Sequence, residues 1–231
     1  DISLINIKKP YQLPNLWQDK SGDDLWFYNI HYFDYLNNPE VDDSLKLKLV
    51  LNWIRNVDHH SAGWDAYPTS LRIVNWVKWI VKNRVKDQNI LRSLYSQCCH
   101  LDKNIEYHIL ANHLFANIKA LTIAGLFFDC NKSNKWLEKY SELCLSQLKV
   151  QVLGNGGHYE LSPMYHNIIL EDILDVISFY KIYSKANPQM FYNTVRSMLV
   201  WSEAMTHPDG EVSFFNESAE GVAPTCSQLA R

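Results

Sequence analysis

The chain has 231 residues, of which 47% are hydrophobic, so one large domain or two small ones can bury a sizeable core. The formal net charge is −3, and no basic run of the kind that coats nucleic acid is present, which excludes nucleic acid as a partner. No apolar run is long enough to cross a bilayer, so the sequence predicts no membrane span and leaves a periplasmic and a cytoplasmic location both open.

Helical periodicity dominates the chain. Apolar residues recur every three to four positions, which places them on one face of a helix. The predicted helices cover residues 41–57, 70–85, 90–99, 104–128, 134–152, 168–183 and 190–205. The regular part of the fourth predicted helix, 104–128, is expected to begin near His108. Cap and turn signals are predicted at Ser70, Asp87, Ser133 and Asn187-Pro188.

Strand signals are scarce. Residues 211–215 alternate in polarity after the turn signal Pro208-Asp209-Gly210 and could form a short strand. The sequence therefore predicts an all-α fold, and its short to moderate loops favour antiparallel helices in a layered α/α array. The chain divides into a lead-in with an aromatic motif, a helical domain and a non-helical segment, which cover residues 1–40, 41–207 and 208–231.

The five cysteines fit no zinc-binding spacing, and most lie in apolar helical stretches, so we expect free, buried thiols. They are Cys98, Cys99, Cys130, Cys144 and Cys226. His108 and His113 are five positions apart and point to different faces of a helix, so no metal site is predicted.

The segment 156–166, which reads Gly-Gly-His-Tyr-Glu-Leu-Ser-Pro-Met-Tyr-His, carries the strongest chemical signal. Tyr and His side chains exchange protons with a substrate once their surroundings tune them. A flexible Gly pair followed by Ser-Pro is typical of a loop that presents its side chains at the start of a helix. An ordinary loop with amphipathic aromatic residues has the same composition, so this segment alone leaves both interpretations open.

Three other segments are more polar or aromatic than packing requires, and they cover residues 26–35, 63–76 and 112–117. Arg72 and Asn75 share one helical face. Asn112 lies within a predicted apolar helix, where an unpaired amide costs about 1–3 kcal/mol, so it is either a paired core amide or a group kept for a ligand. Asn75 could equally bind a neighbouring loop, and His113 and His166 could be packed histidines.

These motifs, in this order, make the chain resemble the N-terminal helical domain of heparinase II/III-type polysaccharide lyases, in particular those found among bacterial surface-polysaccharide genes. The matching segments are residues 26–36, 67–79, 112–128 and 156–174. The resemblance implies an incomplete (α/α) toroid over 41–207 and a following β-sandwich domain. Segment 208–231 is then the start of the connection to that domain. The resemblance implies no cofactor.

The implied reaction is β-elimination on a uronic-acid-containing polysaccharide, such as a heparin-, heparan- or alginate-like glycan or a capsule. The sugar C5 proton is only weakly acidic, so the adjacent carboxylate must be neutralised to stabilise the enolate that forms. A base then removes the proton, and an acid protonates the leaving glycosidic oxygen. The expected partners are therefore an acidic polysaccharide and the chain's own β-sandwich.

The resemblance assigns roles to individual residues. Asn112 matches the carboxylate-stabilising Asn and Tyr165 the catalytic Tyr, with Tyr159 as the rival. His113, His158 and His166 could each assist, but none of them matches the family's partner His. Tyr165 directly precedes a helix expected to start near Asn167, where the helix N-terminus favours a tyrosinate. The residues expected to contact substrate are Tyr28, His31, Arg72, Asn75, Trp76, Glu160 and His166.

The sequence departs from the family pattern at one residue, and it leaves two alternative functions open. The family's partner His comes from the β-sandwich side of the cleft and has no match here, so we expect little or no lyase activity from the chain alone. A glycoside hydrolase would need two carboxylates roughly 5–10 Å apart, for which Asp65, Glu160 and Glu217 are the candidates. The second alternative is a glycan-binding module without catalysis.

Overall fold

A computed structural model describes residues 2–5, 7–10, 12–13, 15–18, 24–186, 188–219 and 221–231. The described helices are α1 (Asp24–Ile30), α2 (Asp43–Asn56), α3 (Ala66–Asn83), α4 (Gln88–Leu101), α5 (Ala111–Phe127), α6 (Asn131–Gln151), α7 (Pro163–Ile182), α8 (Gln189–Ala204) and α9 (Cys226–Leu229). Short 3-10 helices cover Asn15–Gln18, Asp34–Leu36 and Ala62–Trp64. The predicted all-α class is therefore confirmed.

The only sheet in the described part of the chain lies at its N-terminal end. Strands β1 (Ile2–Leu4) and β2 (Ile7–Lys9) pair antiparallel. The strand expected over residues 211–215 is not present, and Val212 forms only an isolated bridge with Thr206. Ser213 donates its backbone N–H to the Met205 carbonyl at 3.0 Å, so this segment folds back on the end of α8 instead of joining a sheet.

The chain divides into two compact units, residues 1–106 and 107–231. The first holds β1, β2 and α1–α4, and the second holds α5–α9. The boundaries expected at residues 40 and 207 stay a prediction. All five cysteines are free thiols, and Cys98 and Cys144 are buried while the other three are partly exposed.

Two of the predicted helix starts differ from the structure in an instructive way. Asp87 caps α4 as predicted, because its carboxylate accepts from the backbone N–H groups of Asn89 and Ile90. Ser70, in contrast, lies inside α3 and donates its hydroxyl to the Ala66 carbonyl at 2.8 Å. Helix α6 begins three residues before its expected start, with Cys130 as the cap and Ser133 as its reciprocal partner. Pro188 caps α8, whereas Asn187 lies outside the described residues.

Aromatic side chains fill the core of the first unit. The indole rings of Trp53 and Trp76 meet edge to face at 5.7 Å, and Phe33 meets Trp76 at 5.4 Å. Trp17 and Trp26 are also buried. The abundance of Trp in the sequence is therefore explained largely by packing in this unit.

Helix α5 is the central element of the second unit. Residues 114–126 are all buried, and the helix packs against α6 and α7. A helix that is hydrophobic on every side is typical of such a central position. Its close approach to α6 depends on Gly125, since a β-carbon there would lie 2.6 Å from the backbone nitrogen of Leu137.

We expect Gly125→Ala to lower the free energy of unfolding by about 1–3 kcal/mol, because overpacking against backbone is not relieved by rotating a side chain. The higher helix propensity of Ala offsets roughly 0.5–1 kcal/mol of the steric cost. The matched control is Gly154→Ala, where an added β-carbon meets nothing within 4 Å. Urea unfolding of both variants tests this, and equal midpoints would contradict the close α5–α6 contact.

A buried ion-pair network joins α5 to α7. The Lys119 ammonium lies 2.6 Å from the carboxylates of both Asp172 and Asp175. Burial alone lowers the pKa of Lys119, but the two carboxylates outweigh burial and raise it, so the lysine stays charged. The network thus joins the two helices whose first turns carry Asn112 and Tyr165.

Candidate functional site

Asn112 lies in the first turn of α5 and not inside the helix. The helix begins at Ala111 because the backbone leaves the helical region at this point: the cap residue Leu110 has φ 66° and ψ −155°, and Ala111 itself has φ 49°. The Asn112 side chain is half-buried and makes no hydrogen bond with the described residues. The interpretation of Asn112 as a paired core amide is therefore wrong, and its amide is free to bind a ligand.

Backbone strain of this kind is informative about function. A residue with a β-carbon in a sparsely populated backbone region costs roughly 1–3 kcal/mol, and such residues cluster at ligand-binding sites. Leu110 and Ala111 are both of this type and directly precede Asn112. No sequence signal marks them, because neither residue favours a positive φ.

The segment Gln151–Glu160 brings Tyr159 to the start of α5. The Tyr159 backbone N–H donates to the Gln151 carbonyl at 2.8 Å, and the Gln151 amide donates to the Ala111 carbonyl at 3.3 Å. The backbone of Ala111 acts on the Tyr159 phenol and lowers its pKa. Burial and the nearby Glu160 raise the pKa of Tyr159, so it is a neutral phenol next to Asn112.

The Gly156-Gly157 pair is held by close packing and is not a flexible hinge. Gly156 has φ 88°, and a β-carbon there would lie 2.3 Å from the Ser197 carbonyl oxygen. A β-carbon on Gly157 would lie 2.6 Å from the indole nitrogen of Trp201. The two glycines therefore let the segment approach α8 closely enough to fix the position of the residues that follow.

Tyr165 is the third residue of α7, which begins at Pro163 and not near Asn167 as expected. Its backbone N–H donates to the Ser162 hydroxyl that caps the helix. Burial raises the pKa of Tyr165, and the carboxylates of Glu217 and Glu160 raise it further. The expectation of a tyrosinate is therefore not supported, because burial and two nearby negative charges favour the neutral phenol.

The loop at residues 215–218 brings Glu217 to the same place. The Asn216 amide donates to the Leu161 carbonyl at 3.1 Å, and the Ser218 hydroxyl accepts from the Met164 backbone N–H at 3.1 Å. Asn216 and Glu217 both have positive φ, of 45° and 67°. From the sequence, Glu217 was a candidate only as one of the two carboxylates that a glycoside hydrolase would need. A cap on α7 from 54 residues downstream has no local sequence signal.

Glu160 interacts electrostatically with His113, Tyr165 and Glu217. Its pKa is raised by burial first and then by Glu217, whereas His113 acts in the opposite direction. The Glu160 carboxylate in turn raises the pKa of Tyr165. The second unit thus brings together His113, Tyr159, Glu160 and Tyr165 near the first turns of α5 and α7. We define the α5–α7 cluster as these four residues together with Asn112 and Glu217.

His166 is fully buried behind the cluster. Its Nδ1 accepts from the His158 backbone N–H at 3.1 Å, so Nε2 carries the proton and donates to the Met198 carbonyl at 3.0 Å. Burial lowers the pKa of His166 to about 4, which keeps the ring neutral. The expected substrate contact is not supported, because the ring has no exposed surface and both nitrogens are occupied.

The structure also gives Arg72 a structural role. Its guanidinium is fully buried and donates to the carbonyls of Gly63 and His31, at 2.7 and 3.1 Å, and to the Gln97 side chain at 2.8 Å. It lies 4.1 Å from the ring centre of Trp53. Because every direction of the guanidinium is occupied by protein, direct contact with a substrate is not supported.

Two further residues expected to bind substrate are buried in the same unit. Trp76 is 0% exposed within the aromatic core. His31 is also buried, and its Nδ1 accepts from the Trp53 indole N–H at 3.0 Å. Burial, with a smaller contribution from Arg72, lowers the pKa of His31 to about 3, so it is a neutral packing residue.

Tyr28 and Asn75 remain partly exposed. The Tyr28 hydroxyl donates to the Asp65 carboxylate at 3.1 Å, and burial and this carboxylate raise the pKa of Tyr28. The Asn75 amide donates to the Tyr32 carbonyl at 2.9 Å, and its oxygen accepts from Asn37 at 2.8 Å. Asn75 therefore binds a neighbouring loop, while a substrate contact by Tyr28 stays a prediction.

Groups that could hold a metal ion and helices that could span a membrane are both absent from the described residues. No three His, Cys, Asp or Glu residues are grouped so that they could hold a metal ion. None of the described helices is both long and apolar enough to cross a membrane.

Comparison with known proteins identifies the family. The family model described as "Heparinase II/III N-terminus" matches residues 32–228, which is most of the chain. The chain belongs to the heparinase II/III family. The resemblance expected from the four sequence motifs is thereby confirmed.

Relatives and solved structures agree with this family. Heparin-sulfate lyases of Bacteroides stercoris and Pedobacter heparinus are each 26% identical, over 106 and 131 residues, or 45% and 55% of this chain. The chain covers only 16% and 20% of the length of these two relatives. A crystal structure of heparinase III matches 86% of this chain and 32% of its own, with a TM-score of 0.63 at 18% identity. The structural match shows the fold, which is the α/α-toroid class of heparinase III's N-terminal region.

Proposed function

We propose that this chain is the helical part of a polysaccharide lyase that cleaves a uronic-acid-containing glycan by β-elimination. The observation that carries the proposal is the unpaired Asn112 amide, which follows strained backbone and lies in the same unit as the neutral phenols of Tyr159 and Tyr165. The relatives named as heparin-sulfate lyases support a heparin- or heparan-sulfate-type glycan. They also support an acidic polysaccharide as the partner, and a β-sandwich domain remains a proposed partner.

Asn112 is assigned to the substrate carboxylate. An amide N–H that donates to this group stabilises the negative charge that moves onto it when the C5 proton leaves. The position at the first turn of α5 adds the positive end of the helix dipole, which favours the same charge. Neither effect needs a metal ion.

Tyr165 is assigned to the leaving group. A phenol with a raised pKa holds its proton at neutral pH, so in its resting state Tyr165 is an acid and not a base. Donation of this proton to the glycosidic oxygen lets the C4–O bond break as the C5 proton is removed. The base that removes the C5 proton is then a separate group, and His113 is the candidate in the described residues, because the raised pKa of Tyr159 keeps that phenol protonated as well.

We expect Asn112→Ala to lower kcat/KM for heparan sulfate by about 10²–10³-fold, the usual effect of removing one donor to a developing negative charge. Asn112→Asp is expected to lower it further, because a carboxylate repels the substrate. The matched control is Asn131→Ala, an exposed Asn in the first turn of α6. Steady-state kinetics of the full-length variants test this, and an unchanged kcat/KM in Asn112→Ala removes Asn112 from the mechanism.

Hydrolysis is the second candidate function. Glu160 and Glu217 interact electrostatically, which is an arrangement that a glycoside hydrolase also requires. The two reactions differ in their products. A lyase leaves an unsaturated uronate at the new non-reducing end, whereas a hydrolase places the oxygen of water on the new reducing end.

A further inference from the structure

One contact beneath the α5–α7 cluster joins two polar atoms that lack partners. The His158 Nδ1 and Glu160 Oε2 atoms are 3.5 Å apart. Both atoms are buried, and neither has a hydrogen-bond partner among the described residues. Buried polar atoms without partners are rare in folded proteins, so each one needs an explanation.

The hydrogen-bond network around Gln151 fixes the tautomer of His158. The Gln151 nitrogen donates to the Ala111 carbonyl and to the Gln147 oxygen, at 3.3 and 3.1 Å. Its oxygen must therefore accept from His158 Nε2, which lies 3.0 Å away. Because Nε2 carries the proton, Nδ1 presents a lone pair to Glu160.

A lone pair that faces an ionised carboxylate is repelled by it, and one added proton turns this contact into a hydrogen bond. The groups around the pair favour placing that proton on Glu160. Burial lowers the pKa of His158 to about 4, with a smaller contribution from His166, so a second proton on this ring is disfavoured. Burial and Glu217 raise the pKa of Glu160, and His113 only partly opposes them.

We propose that His158 and Glu160 share a single proton, and that this proton keeps the Glu160 carboxyl uncharged where an anionic sugar approaches Asn112. Glu160 is then a positioning residue that permits binding and takes no part in the reaction. The consequence for binding rests on the proposed function, whereas the shared proton does not. When the pair loses its proton, Glu160 becomes a second negative charge beside Glu217 and repels the glycan.

The shared proton is tested by NMR titration without any glycan. The side-chain ¹⁵N signals of His158 and the carboxyl ¹³C signal of Glu160 are followed together and assigned from the His158→Gln and Glu160→Gln variants. We expect both to shift at one common midpoint above the ordinary value for Glu, with Nε2 protonated throughout. Glu217→Gln is expected to lower this midpoint without separating the signals, because it removes one negative charge. Separate midpoints, or a Glu160 midpoint at its ordinary value, overturn the proposal.

The consequence for binding is tested with a heparan sulfate oligosaccharide by calorimetry across the same pH range. Affinity of the unaltered protein is expected to fall roughly tenfold as pH rises through the common midpoint, as one new like charge predicts. Glu160→Gln keeps a neutral donor toward His158 and is expected to bind independently of pH over this range. A pH-independent affinity in the unaltered protein overturns the assigned effect on binding. Absence of binding at every pH, with a common NMR midpoint, overturns the proposed function but leaves the shared proton established.

Discussion

Tyr165→Phe is expected to lower lyase turnover by about 10²–10⁴-fold while glycan affinity and stability stay nearly unchanged. The substitution removes only the phenol proton, and the ring still fills its place in the first turn of α7. The effect should appear in kcat, because the proton is transferred only as the glycosidic bond breaks. Turnover is measured from the absorbance of the unsaturated uronate, and affinity by calorimetry.

Tyr159→Phe is the matched comparison for this prediction. It removes the same group from a phenol that lies beside Asn112, and its pKa is raised for the same leading reason. A smaller loss is expected, because Tyr159 is assigned no transfer to the leaving oxygen. If Tyr165→Phe keeps full turnover and Tyr159→Phe loses it, Tyr159 is the proton donor and the assignment to Tyr165 is wrong.

Lys119→Met is expected to lower the free energy of unfolding by about 3–5 kcal/mol, because it leaves two buried carboxylates without their cation. Asp172 and Asp175 have side chains only 7% and 16% exposed, so water does not replace the lost ammonium. The loss should shrink as pH falls, since protonation removes the uncompensated charges. Urea unfolding at two pH values, near neutral and mildly acidic, measures both effects.

Lys135→Met, at an exposed position of α6, is the control for the Lys119 variant and should change stability by less than about 0.5 kcal/mol. A Lys119 variant as stable as this control would show that the two aspartates are neutral or hydrated in the folded protein. The proposed role of the network in joining α5 to α7 would then fail.

The sequence was sufficient to predict α2–α8 and the fold class, because apolar periodicity reflects which face of each helix is buried, whereas the short helices α1 and α9 were not predicted. The assignment of Asn112 and Tyr165 to one site rests on the ordered motifs of a family and stays a prediction. Helix starts were harder to predict. The start of α5 is set by positive φ at Leu110 and Ala111, and the start of α7 by Ser162 together with Ser218 from a distant loop.

Burial was the main feature that the sequence could not reveal. Arg72, His31 and His166 have the side chains of a binding site, yet each is enclosed and hydrogen-bonded within the protein. Periodicity places a polar residue on a helix face but does not show whether another segment covers it. The close contacts of Gly156 and Gly157 were hidden for the same reason, since they depend on Ser197 and Trp201 of another helix.

The chemical nature of the new chain end tests the central claim most directly. The full-length protein is incubated with heparan sulfate in ¹⁸O-labelled water, and the products are examined by absorbance and mass spectrometry. We predict an unsaturated uronate at the non-reducing end, no label at the cleaved bond, and loss of this product in Tyr165→Phe. Products that carry ¹⁸O and lack the unsaturated end would show hydrolysis and would contradict the assignment of Asn112 and Tyr165 to β-elimination.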